Sequence, residues 1–503
     1  MHIDKPKTSR KWGKPLEPGL DKALGRFITS AACMFAMGTL VSGQFLTGYA
    51  LLLGARDFEI GLLASVATWA GLSSLLSPMV IRALRSGKLT VLWSQSIGRS
   101  SWLIVILPAL FGYGAQPRVL WLLIAVSGFY TLSNSIVYPA WLSWLRSLVP
   151  TTIRGRYFAR QSVTTNFTAM AVLQLGGQFL DLWKRHFGRR SPFGFTICYG
   201  FGLIVASLGL NIRRKIPEPP SAREDAPVPI LRLMVLPLTN PDFRAYILFY
   251  SWYYFSVMII TPFFMVYMLN YLKISYATIA LLTNMGTVAV LFSARIWGRL
   301  IDKFSPKAVL KLCYPVMCLL IPMLLLATPG NYLILYLFHF LAGLFSCGLN
   351  LSLTNTVLRI APDEHASAYF AAENAIISLT GTAGPLLGGW LAQSIQGVQM
   401  HLGGLTIVHL HFVFLAAMAV RLCGFFLLRR LREPRERDVG HMLRVIRRVP
   451  GLRPMGATRS AVDALVALLH PLIRRSRSHT PPPQRPHSDD DPPLEDQDTS
   501  DDR

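Results

Sequence analysis

Three ionisable side chains stand inside long apolar segments, where a charge is most costly and therefore most informative. Arg99 and Glu373 fall well within such segments, and Arg421 lies near the end of the last one. A buried arginine can bind an anionic group or pair within a cavity, and a buried carboxyl group can carry a proton. Structural alternatives stay open: Arg99 could pair or bond helix carbonyls, and the Arg421 side chain could reach the polar end of its segment.

Uncharged polar side chains recur in the same segments and could line a path for a solute. Any one of them is more often a hydrogen bond between helices than a ligand contact. As a set, they predict a moderately polar pathway. The candidates are Gln44, Asn134, Tyr138, Asn166, Tyr253, Tyr254, Asn284, His339, Asn350 and Asn355.

The segments that carry these residues are long enough to cross a membrane. Of 503 residues, 52% are hydrophobic and 15% are charged, against about 25% charged in a typical soluble chain. The uncharged runs match the roughly 20 residues that a helix needs to span a bilayer, where every backbone group must be paired. The sequence therefore predicts an all-α polytopic membrane protein. Twelve transmembrane helices are expected near 28–53, 60–82, 89–112, 119–145, 159–181, 194–212, 243–269, 276–297, 307–328, 332–358, 367–394 and 405–428.

The basic residues predict the orientation of these spans. With the N-terminus in the cytoplasm, the inner segments before the C-terminal tail hold 26 Lys and Arg residues and the outer segments hold seven. This excess predicts that both termini are cytoplasmic. The expected location is a bacterial inner (plasma) membrane. The basic cluster 184–190 lies on the outer side and runs against the trend.

The boundaries of the chain's regions follow from the spans and the loops between them. The residues after 428 are basic and amphipathic and then acidic and rich in Pro, which predicts lipid contact followed by disorder. The expected regions are a cytoplasmic segment 1–27, a six-helix bundle 28–212, a linker 213–242, a second six-helix bundle 243–428, a juxtamembrane tail 429–479 and a disordered end 480–503.

The two predicted bundles resemble each other in sequence. An offset of 212 aligns Tyr157-Phe158-Ala159 with Tyr369-Phe370-Ala371 and also Leu175-Gly176-Gly177 with Leu387-Gly388-Gly389. An offset of 219 aligns Lys88 with Lys307. Repeats of this kind are typical of secondary transporters, in which the substrate site lies between the halves.

The loop after span 8 carries a short motif of glycine and alternating charges. It runs from Gly298-Arg299 through Asp302-Lys303 to Lys307, and resembles the major facilitator superfamily signature Gly-x-x-x-Asp-(Arg/Lys)-x-Gly-(Arg/Lys)-(Arg/Lys), with Ser305 in place of the second glycine. The resemblance covers about residues 25–430 and implies two pseudo-symmetric six-helix bundles. The corresponding loop after span 2 lacks the Gly and Asp and keeps only cations, among them Arg82 and Arg85.

The resemblance implies which loops meet on the cytoplasmic side. In the superfamily, the inner end of span 8 packs against the start of span 5, and that of span 2 against the start of span 11. Asp302 would then face Arg156 and Arg160, while Arg82 and Arg85 would face Asp363, Glu364 and Glu373. We hypothesise two cytoplasmic latches that close when the transporter opens outward. A titrating Glu373 that carries protons is the alternative role for that residue.

Span 11 contains a run of small residues with one proline. Small residues let helices approach closely, and a proline permits a bend, so helix packing is the favoured interpretation. The same run resembles a signature of proton-driven drug antiporters, which in those proteins lies in span 5. The residues are Gly381, Gly384, Pro385, Gly388 and Gly389.

The sequence lacks the motifs that would indicate several other classes of protein. The six cysteines lie within apolar runs without metal-ligand spacing, and His401, His409 and His411 are a weak metal candidate because neighbours two apart diverge on a helix. No ATP-binding loop, hydrolase motif or cofactor motif is present, and the +24 net charge sits in loops rather than on a nucleic-acid face.

The sequence thus predicts a monomeric secondary transporter rather than an enzyme, moving a small solute by alternating access, with protons as a candidate coupling ion. No metal, cofactor or nucleic-acid partner is expected, and membrane lipids surround the chain. The alternative is a transporter-like sensor or assembly protein without net transport. The Arg99 charge favours an anionic solute, and the aromatic clusters favour an amphiphile.

Overall fold

The computed structural model describes residues 18–113, 116–188, 191–218, 235–362, 366–402 and 405–431. The chain divides into two units, Met1–Val439 and Gly440–Arg503, and the described residues belong to the first. The predicted tail and disordered end lie outside these ranges, as do most of the N-terminal segment and the linker. Asp363, Glu364 and half of the basic cluster 184–190, Arg189 and Arg190, are outside them too.

Within the described residues, twelve helical spans follow one another, and some are divided into shorter helical pieces. Their bounds are span 1 (Pro18–Leu40 and Gly43–Leu52), span 2 (Asp57–Trp69, Ala70–Leu76 and Ser77–Leu84), span 3 (Gly87–Ser100 and Leu103–Leu110), span 4 (Arg118–Leu148), span 5 (Arg154–Phe187), span 6 (Phe193–Arg214), span 7 (Pro241–Val266 and Tyr267–Tyr271), span 8 (Tyr276–Lys303), span 9 (Pro306–Leu319 and Ile321–Leu326), span 10 (Ile334–Ile360), span 11 (Ala366–Ser394) and span 12 (His409–Arg430). Short 3-10 turns at Thr151–Ile153 and Leu236–Thr239 precede spans 5 and 7.

Ten of these spans are both long enough and apolar enough to cross a membrane. The other two are spans 3 and 5. Span 3 is interrupted by a turn at Ser101 and Trp102, which divides its apolar stretch. Span 5 is less apolar because one of its faces carries polar side chains such as Gln161 and Thr165, which line a cavity. The molecule is an all-α integral membrane protein.

Span 1 begins earlier than residue 28, where the sequence placed it. Its first turns from Pro18 are amphipathic: Ala23, Leu24 and Phe27 are buried in a cluster that also contains Trp144, while Lys22 and Arg26 are exposed. A charged face lowers the average hydropathy of a helix without preventing it from packing. A search for continuous apolar runs therefore placed the start of span 1 too late in the sequence.

A short β-hairpin precedes the last span, and this hairpin was not predicted from the sequence. Strand β1 (Gln399–Leu402) pairs antiparallel with β2 (Leu405–Val408), so span 12 begins at His409 rather than at 405. The β-branched residues Thr406, Ile407 and Val408 favour an extended backbone.

The two halves, spans 1–6 and spans 7–12, repeat local structure at matched positions. Ser86 and Ser305, separated by the offset of 219, cap the N-termini of spans 3 and 9 by accepting from the backbone N–H groups of Leu89 and Ala308. A side-chain oxygen at this position satisfies an otherwise unpaired helix N–H. The repeat predicted from the sequence is thus present in the local structure of both halves.

The ends of the spans define two sides of the molecule. We call the end with residue 18, the connection between spans 6 and 7, and residue 430 the terminus side. The other end, with the hairpin and the loop between spans 1 and 2, is the opposite side. The basic-residue count predicts that the terminus side is cytoplasmic.

Candidate functional site

A cavity of about 690 Å³ lies among the spans of the first half. Side chains from spans 1, 3, 4, 5 and 6 line it, and we call it the N-half cavity. It reaches from Ser42, beyond the middle of span 1, to Phe158 and Arg213, which lie near the terminus side. Its volume falls within the range of about 300–1,000 Å³ that is common for small-molecule sites.

Two arginines line this cavity although both are almost completely buried. Arg99 and Arg213 are each 2% exposed. Arg99 donates to the backbone oxygen of Gln95 at 3.2 Å, and Arg213 donates to the side-chain oxygen of the same glutamine at 2.9 Å. Gln95 therefore lies between two positive charges.

Arg213 also ties three spans of the first half together. Its Nε donates to Ser30 Oγ at 3.3 Å, and its guanidinium carbon is 5.9 Å from the centre of the Phe27 ring. Ser30 in turn donates to the backbone oxygen of Phe27. We call Phe27, Ser30 and Arg213 the N-half anchor.

The second half contains the same arrangement. Arg421 Nε donates to Ser256 Oγ at 3.1 Å, and Ser256 donates to the backbone oxygen of Tyr253. The Arg421 guanidinium carbon is 5.6 Å from the centre of the Tyr253 ring, and Nη1 donates to the backbone oxygen of Met317 at 3.1 Å. We call Tyr253, Ser256 and Arg421 the C-half anchor; it joins spans 7, 9 and 12 as the N-half anchor joins spans 1, 3 and 6.

Span 1 is interrupted beside the N-half cavity. The helix stops at Leu40 and restarts at Gly43, whose φ of 54° lies in the left-handed region that favours glycine. Ser42, at the break, lines the cavity. The positive end of the helix Gly43–Leu52 therefore lies at the cavity.

Polar residues of span 5 supply a further part of the wall. Gln161, Ser162, Thr165 and Asn166 line the cavity and share one helix face because of their spacing. Gln161 is buried, and its side-chain oxygen has no partner in the protein. This wall can supply hydrogen bonds to a solute.

The predicted pathway residues of the first half divide between two environments. Asn134, Tyr138 and Asn166 line the N-half cavity together with Arg99. Gln44 is 2% exposed and lies outside its lining; neither polar atom of its amide has a hydrogen-bond partner.

The predicted pathway residues of the second half lie away from the N-half cavity. Tyr253 belongs to the C-half anchor, and Tyr254 stands in an aromatic row with Tyr250. Asn284 donates across the halves to the backbone oxygen of Met170 at 3.1 Å. The other three bond within their own helix or are exposed: His339 contacts the Leu335 oxygen, Asn355 donates to the Leu351 oxygen, and Asn350 is exposed.

Glu373 is half-buried and has a specific partner. Tyr246 Oη donates to Glu373 Oε1 at 2.8 Å. Tyr246 begins a row of rings in span 7, with Tyr250 at 6.0 Å and Tyr254 a further 6.2 Å along. The second half therefore presents a carboxyl group and tyrosine hydroxyls, whereas the first presents guanidinium groups.

The small residues of span 11 lie at close helix contacts. Gly381, Gly384 and Gly388 face span 7, where a Cβ on Gly384 would lie 2.8 Å from the Phe255 oxygen. Gly389 faces the start of span 2, and a Cβ there would be 3.1 Å from the Asp57 oxygen. Pro385 lies within span 11, and its carbonyl oxygen approaches Gly61.

The halves meet at two matched contacts on the opposite side. Gly177 of span 5 lies against the start of span 8, where a Cβ would be 2.7 Å from the Tyr276 oxygen. Gly389 of span 11 lies against the start of span 2, and the offset of 212 relates these two glycines. Asp181 strengthens the first contact by accepting from the backbone N–H groups of Tyr276 and Ala277 at 3.0 and 2.8 Å.

Further bonds between the halves extend these contacts toward the middle of the spans. Ser65 donates to the Thr382 oxygen at 2.9 Å, and Asn374 donates to Ser74 at 3.1 Å. On the opposite side, His409 and Asp57 approach to 3.1 Å. His411 instead contacts Val408 and Tyr267, and His401 contacts Thr406.

The predicted latch residues lie at the terminus side. Arg82, Arg85, Arg156, Arg160 and Asp302 are all exposed, and within the described ranges no ion pair joins Asp302 to Arg156 or Arg160. The remaining signature residues are also near this end. Gly298 has open space around it, Arg299 and Lys303 are exposed, and Lys307 is buried.

Sequence reasoning missed Arg213 and the break in span 1. Arg213 stands in the run Arg213-Arg214-Lys215 and was counted among loop cations, yet Arg214 and Lys215 are exposed while Arg213 is buried. A signal was present, because Ala206, Gly209 and Leu210 share its helix face and are buried. The Ser42-Gly43 pair likewise marked the break.

Comparisons with known proteins agree with this architecture. The Major Facilitator Superfamily model matches residues 248–473. A mutant of the nucleoside transporter NupG is similar in structure, with a TM-score of 0.64 at 12% identity over 82% of this chain and 100% of that chain. No curated protein sequence matches the chain.

Two further solved structures are similar. A bacterial homologue of the human lysosomal transporter Spinster, in an inward-facing and unoccupied conformation, has a TM-score of 0.61 at 13% identity, covering 83% of this chain and 100% of that chain. A D-xylose-proton symporter has a TM-score of 0.58 at 12% identity, covering 84% and 99%. At such identities the likeness establishes a shared fold.

Proposed function

We propose that this chain is a transporter of the major facilitator superfamily, which its match over residues 248–473 and its fold support, and that it carries a small solute by alternating access. The two halves rock against each other and expose a site between them to either side in turn. The terminus side is cytoplasmic, and the gradient of an ion or of the solute itself supplies the driving force.

The observation that carries this proposal is the matched pair of contacts on the opposite side. Gly177 against Tyr276 and Gly389 against Asp57 bring backbones together at equivalent places in the two halves. Because small residues leave no side chains to interlock, such contacts can close and part as rigid halves move. The exposed cations and Asp302 on the terminus side are consistent with the outward-open conformation of the cycle, in which the latches would form.

Proton coupling through Glu373 is part of the proposal. A half-buried carboxyl group with a tyrosine partner 2.8 Å away can gain and lose a proton as the halves move. The Glu373→Gln variant keeps the shape and loses the charge. We expect it to abolish accumulation driven by a proton gradient while exchange of internal for external solute continues.

Uptake into proteoliposomes tests the proposed function even while the substrate is unidentified. Vesicles with and without the protein are incubated with a ¹³C-labelled metabolite extract, and their contents are identified by mass spectrometry. A transporter accumulates or equilibrates at least one solute faster than empty vesicles do. A sensor or assembly protein, the competing function, would bind solute without moving it.

A reversible cross-link tests alternating access itself. The Thr68 and Thr382 hydroxyl oxygens are 3.4 Å apart across the halves, so Thr68→Cys with Thr382→Cys places two thiols face to face. Oxidation should stop uptake and reduction should restore it. The Thr68→Cys and Thr382→Cys single substitutions under the same oxidant are the controls, since each retains the six native cysteines. Unchanged uptake by the cross-linked pair would exclude the rocking movement.

A further inference from the structure

Arg99 has an unusually incomplete set of partners for a buried charge. It is 2% exposed and donates one hydrogen bond, to a carbonyl of its own helix, while its buried Nε has no partner. Burying a guanidinium without a counter-charge costs several kcal/mol of folding free energy. A residue kept at such a cost in a membrane span is a functional candidate.

A second positive charge lies close by and is not neutralised either. Arg213 is also 2% exposed, and both arginines bond to Gln95. In the part of the chain that the structure describes, no carboxylate forms an ion pair with either guanidinium. The two arginines therefore create a positive potential in a site of low dielectric constant.

The break in span 1 adds backbone N–H groups to the cavity wall. The helix Gly43–Leu52 starts at the cavity, where Ser42 lines the wall and makes no side-chain cap to the first turn. The N–H groups of a helix start attract anions, and broken helices use this in transporters. The two buried arginines are thus the main source of positive charge in the cavity, and this helix start adds backbone N–H donors at its other end.

Another part of the cavity wall is apolar and aromatic. Phe35, Tyr138, Trp141 and Phe158 line it, and the Tyr138 and Trp141 rings stack at 6.0 Å. Such a wall suits the apolar body of a ligand whose charged group lies at the arginines.

We propose that the N-half cavity binds an organic anion, with its carboxylate or phosphate at Arg99 and its apolar body against these aromatic rings. Arg213 acts through its positive field and by holding Gln95 in place. This inference names the substrate class of the proposed transporter and rests on that function. The anion can come from a soluble metabolite or from an amphiphile in the membrane.

The second half shows that the fold does not require Arg99. The offset of 219 that aligns Lys88 with Lys307 pairs Arg99 with Cys318, which lies beside Arg421 in the C-half anchor. The same anchor thus forms without a second arginine. A purely structural role leaves Arg99 unexplained.

Calorimetric titration of the full chain in phosphatidylcholine nanodiscs tests the inference. The probes are 4-phenylbutyrate, phenyl phosphate, decanoate and inorganic phosphate, with the neutral 4-phenylbutyramide as isostere. We expect at least one organic anion to bind, and the amide to bind at least about 10-fold more weakly, since a charge-assisted hydrogen bond accounts for about 10- to 100-fold in affinity. Binding of decanoate alone would support the site and assign its ligand to the membrane.

Matched variants identify the residue responsible. Arg99→Gln should weaken anion binding by about 10- to 100-fold, and Arg99→Lys should restore part of it because the charge is kept. Arg421→Gln removes an equally buried arginine outside the cavity and should leave affinity unchanged. No binding by any organic anion, inorganic phosphate binding as tightly as phenyl phosphate, or equal affinity in Arg99→Gln would overturn the inference.

The outcomes separate this inference from the proposed function. Anion binding that depends on Arg99, without uptake into vesicles, would keep the site and reject transport. Uptake of a neutral solute that Arg99→Gln leaves unaltered would keep transport and reject the anion site.

Discussion

The two halves hold the same anchor in different surroundings. In both, an arginine near the end of the sixth helix bonds a serine in the first helix and lies over an aromatic ring three residues before it. Nη1 of Arg213 donates to the side-chain oxygen of Gln95 in span 3, and Nη1 of Arg421 donates to the backbone oxygen of Met317 in span 9. Since both halves share these bonds, the anchors hold each bundle together.

The difference between the halves lies next to the anchor. The first half adds Arg99 and opens a cavity there, whereas the second half has Cys318 at the aligned position, 3% exposed. We infer that side-chain arrangements found in both halves are needed for the fold, and that arrangements found in only one half serve the function. Four variants test this distinction, and they are ordered by the size of their expected effect on stability.

Cys318→Arg should be the most damaging variant. It would place a second guanidinium in a buried site beside Arg421, where the two like charges repel each other. We expect a loss of at least about 4 kcal/mol of folding stability, seen as failure to purify as a monodisperse protein or as a large fall in melting temperature. Cys318→Met controls for side-chain size. A stable Cys318→Arg variant would show that the second half also tolerates a second buried arginine, which would contradict the distinction between the halves.

Arg421→Met should come next. It removes the charged hydrogen bonds to Ser256 and Met317 and the contact with Tyr253, while it relieves the cost of a buried charge. The net loss should be about 2–3 kcal/mol of folding stability, measured as a lower melting temperature. An unaltered melting temperature would mean that the C-half anchor does not stabilise its bundle.

The sequence predicted the fold well because the membrane imposes it. Apolar length fixed the number of spans, and the offsets of 212 and 219 predicted pairs such as Gly177 with Gly389 and Lys88 with Lys307. Those residues recur because each half must make the same backbone approach and the same helix start. Family resemblance in the loop from Gly298 to Lys307 pointed to the same architecture.

The site was only half predictable. Arg99 could be predicted as a site residue because a charged side chain in the middle of a membrane span is costly whatever its orientation. Arg213 did not, because whether the last cation of a helix points inward or outward depends on helix phase and on the partner helices. For the same reason, the polar residues of span 5 could be placed on one face, but not assigned to a cavity.

Arg213→Met should destabilise less than Arg421→Met, although both variants break an equivalent anchor. Losing the bonds to Ser30 and Gln95 is costly, but removal of Arg213 also relieves its repulsion with Arg99. We expect a net loss of about 1–2 kcal/mol of folding stability. If its melting temperature falls as far as that of Arg421→Met, the two arginines of the first half do not interact appreciably.

Arg99→Met should have the smallest effect on stability, and the effect should have the opposite sign. The variant gives up one hydrogen bond within a helix and removes a buried, unpaired charge, so the melting temperature should stay the same or rise by an amount equivalent to about 1 kcal/mol. Combined with Arg213→Met, it should show an interaction energy of about 1 kcal/mol, because each variant relieves the same repulsion. A melting temperature that falls as far as in Arg213→Met would make Arg99 a structural residue of its bundle. A gain in stability together with the loss of anion binding would mark Arg99 as a residue that the fold tolerates for the sake of its ligand.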